Sequence, residues 1–247
     1  MRSAIPLFRF AGIQVYLHLT WFIMAVFEYT QLSRRYNNPI WGMWEYLALC
    51  GMVILHEFGH AFACRQTGGR ADQIMLWPLG GVAFVSPPPR PGAYLWSIAA
   101  GPLVNVVLVP IFAGLLFWAG DIQFRIAHPD VYRFVWSLMW MNIGLLIFNL
   151  LPIFPLDGGQ LVRGVLWIWM GPTRSLQVAS VIGVTGSLAI GLWAFYRGSI
   201  WLGILALFVF SQAQFGWREA RRLKLEADAA KETTAQPPPL PPMMERR

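Results

Sequence analysis

Apolar residues run along this chain in long unbroken stretches, not in the short alternations of a soluble domain. Six stretches are long enough, or nearly so, to cross a membrane: Ile13–Leu32, Trp41–Cys64, Ala93–Ala119, Phe134–Leu151, Leu176–Phe195 and Ile200–Trp217. Crossing a hydrocarbon core of about 30 Å takes roughly 20 helical residues. The third stretch carries no charged residue at all. Between the second and third lies "GGRADQIMLWPLGGVAFVSPPPRPG". Its strand-like runs, Gln73–Trp77 and Val82–Val85, flank Pro78, Gly80 and Gly81 and predict a hairpin. That segment is too apolar for an ordinary cytosolic loop, so it is expected to dip into the membrane. Such backbone is tolerated there only when it is buried in protein or lines a wet cavity.

The pattern therefore predicts an all-α polytopic membrane protein. It has about six transmembrane helices and a short membrane-associated β-hairpin between helices two and three. The stretch "QLVRGVLWIWMGPTR" after the fourth span is too short to cross and reads as a surface or re-entrant helix. Residues 1–217 are expected to form the six-span core. Residues 218–247 read as a charged helical extension, "REARRLKLEADAAKE", followed by a flexible Pro-rich tail. The P-x-x-P pattern of that tail leaves open an unknown regulatory partner.

Composition supports this reading. Charged residues make up 13% of the chain, against about 25% in soluble domains. The net charge of +7 does not point to nucleic acid, because the basic residues sit at the ends of apolar runs and in the tail. Those positions fit membrane topology and anionic lipid. With the N-terminus placed inside, fourteen of the 19 Lys and Arg fall on the cytoplasmic side. The bias predicts that both termini are cytoplasmic, in what is expected to be a prokaryotic plasma membrane. No small-residue cleavage site follows the first run, which is read as a retained span. Cys50 and Cys64 form no C-x-x-C pair and are read as packing residues.

One stretch breaks the apolar pattern. "VILHEFGHAFA", residues 53–63, places His56, Glu57 and His60 in the middle of the second span. Ionisable groups at membrane depth are costly and mark functional sites. On a helix, positions four apart share a face, so both imidazoles can bind one zinc ion. The neighbouring glutamate can take a proton from water held at the metal. A catalytic zinc wants three protein ligands and one open position. The third candidate is Asp157, in "NLLPIFPLDGGQ" (residues 149–160). There Pro152 and Pro155 stop the helix, and Gly158 and Gly159 free the backbone.

H-E-x-x-H in one span and N-x-x-P-x-x-P-x-D-G in a later one, here His56–His60 and Asn149–Gly158, resemble the site-2 protease family of intramembrane zinc metalloproteases. The resemblance extends to "AGPLVN" (Ala100–Asn105), "PLGG" (Pro78–Gly81) and "GIQVYLHLTW" (Gly12–Trp21). It implies one Zn2+ per chain on His56, His60 and Asp157, with Glu57 as the general base. Asn105, Asn149, Gly80 and Gly81 are candidate substrate contacts. Transmembrane proteins would be cut in regulated intramembrane proteolysis, after another protease removes the outer domain. The expected form is compact, with no PDZ or CBS module. His18 is read as structural. A catalytically silent relative that binds membrane segments or moves a solute is the alternative. An intact Glu57 argues against it.

Overall fold

A computed structural model describes residues 4–22, 25–26, 35–77 and 80–235. Four strands come first in the description: β1 Ala4–Phe10, β2 Ile13–His18, β3 Arg70–Trp77 and β4 Gly80–Ser86. The helices are α1 Ile40–Gln66, α2 Pro91–Ala119, α3 Ile122–Ala127, α4 Pro129–Leu150, α5 Asp157–Arg197 and α6 Ile200–Ala235. All but the short α3 are long and apolar enough to cross a membrane.

Among the described residues the spanning helices thus number five, not six. The predicted first span fails at its start, because Ile13–His18 is strand. Much of the remainder, residues 23–24 and 27–32, lies outside the described residues. The reason is local. Ala11 and Gly12 both have positive φ, 47° and 78°, and close a two-residue turn that pairs Phe10 with Ile13. The chain leaves that turn as a strand whose alternate residues, Ile13 and Val15, are fully buried against α1. Arg65, in the last turn of α1, donates to the carbonyls of Ala11 and Gly12 and ties the turn to the helix end.

The predicted hairpin is present as β3 and β4 and belongs to a larger sheet. Its order is β1-β2-β3-β4, with β2 and β3 parallel and the other two pairs antiparallel. Ile13, Val15, Ile74 and Leu76 from the sheet meet Val53, Phe58, Ala61 and Cys64 from α1 in one apolar cluster. The sheet therefore caps the stretch of α1 that carries the two histidines.

Helix α2 is the hub of the helical part. It packs against α1, α4 and α5, and α5 packs along α6. Gly59 allows α1 and α2 to approach closely, since a Cβ there would lie 2.6 Å from the Ala100 carbonyl oxygen. Helix α5 is two straight pieces joined at Gly171, where φ is 79°, just before Pro172. That break falls near the end of the predicted short helix, just before the fifth predicted span. Helix α6 continues past Trp217 into the charged stretch.

Candidate metal centre and active site

His56 and His60 are one turn apart on α1, and both face α2. Gly101 of α2 stands opposite them. A Cβ at that position would come within 2.2 Å of His60 Nε2 and 2.8 Å of His56 Nε2. No residue but glycine leaves space there for both rings.

Asp157 arrives from another part of the chain. Helix α4 stops at Leu150, and residues 151–156 turn through Pro152 and Pro155. Helix α5 then begins at Asp157 itself. Its first turn lies directly on the preceding loop. A Cβ on Gly158 would sit 2.2 Å from the Leu150 carbonyl oxygen, and one on Gly159 would sit 2.2 Å from the Phe154 nitrogen. The two glycines thus permit the contact that carries Asp157 to α1.

The three side chains, all buried, meet at one point. His56 Nε2 lies 3.0 Å from Asp157 Oδ2 and 3.1 Å from His60 Nε2, and His60 Nε2 lies 3.4 Å from the same carboxylate oxygen. Hydrogen bonding on the far side of each ring decides what these atoms offer. His60 Nδ1 is 2.9 Å from the Ser97 carbonyl oxygen, which can only accept, so Nδ1 donates. His56 Nδ1 is 2.6 Å from Asn105 Oδ1 and donates likewise. In neutral rings both Nε2 atoms then carry lone pairs and face a carboxylate oxygen. Three acceptors at van der Waals distance, with no proton among them, repel one another unless a cation lies between them. Ligands of a tetrahedral zinc, with bonds of about 2.05 Å, stand roughly 3.3 Å apart. The observed separations match, so the residues present fit a single metal ion.

Glu57 points to a different side. Its Oε2 accepts the Ala83 amide of β4 at 2.7 Å. Gly81, two residues earlier on the same strand, leaves room for it: a Cβ there would be 2.4 Å from Glu57 Cγ. A buried second carboxylate is therefore held between α1 and the last strand of the sheet, next to the three converging ligand atoms.

The other sequence candidates divide. Gly81 touches Glu57, whereas Gly80 has φ 140° and open space where a Cβ would be. Asn149 is half-buried near the end of α4. Asn105 is fully buried, its amide between His56 and Asn142. His18 bonds Thr20 and stacks on Trp77 with ring centroids 4.4 Å apart. Sequence reasoning missed Ser97 and Asn142. Ser97 acts through its backbone, which carries no sequence signal. Asn142 is an amide in an apolar helix and belongs to no spacing motif.

Comparison with known proteins identifies a family. The sequence model for Peptidase family M50 matches residues 44–125 and 121–192. The chain belongs to peptidase family M50. It is similar to a zinc metalloprotease of Methanocaldococcus jannaschii, with 32% identity over 226 residues, 92% of this chain and 63% of the relative. It is also similar to stage IV sporulation protein FB of Bacillus subtilis, 29% identical over 170 residues, 66% of this chain and 54% of the relative. This M50 chain thus spans less than two thirds of the length of these relatives. Among solved structures it is similar to the site-2 protease from Methanocaldococcus jannaschii, with a TM-score of 0.63 and 29% identity over 87% of this chain and 95% of that one. With its family and five apolar helices, the chain is a multi-pass membrane protein.

Proposed function

We propose that this M50 chain is an intramembrane zinc endopeptidase that hydrolyses peptide bonds within or near the transmembrane segments of membrane proteins. The observation that carries the reading is the convergence of two imidazole Nε2 atoms and a carboxylate oxygen, 3.0–3.4 Å apart. It lies among helices that cross a membrane and beside another buried carboxylate. The names of the relatives support zinc as the metal, and the convergence of His56, His60 and Asp157 supports one ion per chain on those three residues. We assign residues 1–217 to the protease core and 218–247 to its extension, with both termini in the cytoplasm and the core in a prokaryotic plasma membrane.

Zinc, when bound, supplies a Lewis acid that lowers the pKa of water to about 7. The remaining chemistry belongs to the chain. Glu57 takes a proton from the attacking water at a carboxylate oxygen. It then gives that proton to the departing nitrogen as the peptide C–N bond breaks. Its bond to Ala83 holds the carboxylate in place. A substrate helix hides its amides in its own hydrogen bonds, so cleavage needs an extended segment. The outer edge of β4, next to Glu57, offers backbone groups to pair with such a segment.

The test uses purified chain in proteoliposomes with a single-span model substrate that carries helix-breaking residues. Wild type should cleave it, and a zinc chelator should stop cleavage. Glu57→Gln should bind zinc as wild type does and lose about 10²–10⁴-fold in rate. If Glu57→Gln cleaves at the wild-type rate, the assigned base is wrong.

A further inference from the structure

We propose that Asn142, acting through Asn105, is a positioning residue that holds the His56 ring with Nε2 turned toward the metal. This inference rests on the metal-centre reading above. Helix α4 contributes no ligand, yet it places a fully buried amide one residue away from the ligand shell. Amides buried in an apolar membrane helix are costly unless paired, and this one is paired at both ends.

Each link of the chain fixes the next. It starts at the Asn105 backbone carbonyl, which can only accept. That oxygen draws Asn142 Nδ2 to it at 2.9 Å. The other end of the Asn142 amide, Oδ1, then faces Asn105 Nδ2 at 2.8 Å. The opposite end of the Asn105 amide, Oδ1, is thereby left facing His56 Nδ1 at 2.6 Å. An amide oxygen accepts only, so His56 Nδ1 must donate and Nε2 keeps its lone pair.

The contrast with His60 explains why a relay is needed. His60 Nδ1 meets a backbone carbonyl directly, and a backbone carbonyl cannot turn round. His56 meets an amide side chain, which can present either its oxygen or its NH2 to the ring. If Asn105 flipped, its NH2 would face Nδ1. The ring proton would move to Nε2 and point at the metal position. Asn142 removes that ambiguity, because its own orientation is anchored on the backbone. The same geometry gives Asn105 a role in aiming a ligand instead of contacting substrate.

The experiment measures zinc affinity of the full-length, detergent-purified chain by chelator competition. It compares wild type, Asn142→Leu, Asn105→Ala and the double variant. Leucine is close to asparagine in shape, so helix packing is kept. Asn142→Leu should bind zinc about 10–100-fold more weakly, the range seen when partners behind ligands are lost. The double variant should be no weaker than Asn105→Ala, because Asn142 acts only through Asn105. Cobalt-loaded Asn142→Leu should show altered d–d bands. If Asn142→Leu fails to fold, Asn142→Ala takes its place with the same expected loss, and wild type loaded with cadmium-113 and nitrogen-15 reports which His56 nitrogen holds the metal. Coupling of cadmium to His56 Nε2 is expected. Unchanged zinc affinity in folded Asn142→Leu, additive losses in the double variant, or coupling to His56 Nδ1 would each overturn the inference. A purely packing role would lower only the melting temperature of the metal-free protein. Wild type that binds no zinc would instead bring down the metal-centre reading, and this one with it.

Discussion

Gly101 shows how little room the centre has. In most helix interiors, replacing glycine by alanine stabilises by about 1 kcal/mol. Here the added methyl would enter the space between two ligand nitrogens, 2.2 and 2.8 Å away. Overpacking of that kind costs about 1–3 kcal/mol, so Gly101→Ala should lower metal-free stability by at most about 2 kcal/mol. Zinc binding should suffer far more, by at least ~10-fold, since the rings themselves must move. Chelator competition and thermal melts on one preparation would separate the two effects. Zinc affinity equal to wild type would place the ligands elsewhere. Glu57 and Gly81 follow the same logic, with a glycine reserved for a functional side chain.

At the scale of elements, the junction between α4 and α5 does for Asp157 what the helical period does for the histidines. Gly159→Ala should force the first turn of α5 off the loop, because its Cβ would meet the Phe154 backbone nitrogen at 2.2 Å. The expected outcome is weaker zinc binding, by roughly tenfold or more, with little change in helix content by circular dichroism. Much of this architecture was legible in the sequence. Helices α1, α2, α4, α5 and α6 were visible as apolar runs, and β3–β4 as a hairpin. The donor set His56, His60 and Asp157 could be read because helical spacing and Pro/Gly punctuation are local signals. Strands β1 and β2 were not read. The apolar residues of β2 merge with those after His18 into one long run, and β1 lies before that run, with Pro6 and Arg9 interrupting its apolar pattern. Asn142 was invisible for the opposite reason: its meaning lies in a contact between helices 37 residues apart at Asn105.

Among the described residues, the buried carboxylates and imidazoles of the membrane helices gather at two places along α1. One is the metal centre. The other is Glu45, fully buried near the opposite end of the helix. Its carboxylate accepts hydroxyl hydrogen bonds from Tyr36 and from Ser137 of α4. Burial, and then the Glu45 carboxylate, push the Tyr36 phenol above its ordinary range, which keeps it a donor. Asp130, in the first turn of α4, accepts the Asn37 and Asn38 amides at 3.0 Å each. Two carboxylates thus fasten residues 35–38 to α1 and α4 at the end of α1 remote from the centre. The metal centre joins segments 101 residues apart, which meet only if the whole fold is right. The most direct measurement is therefore zinc content per chain in purified wild type and in Asp157→Ala. One zinc per wild-type chain, lost or bound at least ~10-fold more weakly in the variant, is the predicted result. Well-folded wild type that takes up no zinc when zinc is supplied, or Asp157→Ala that holds it as tightly, would contradict the account.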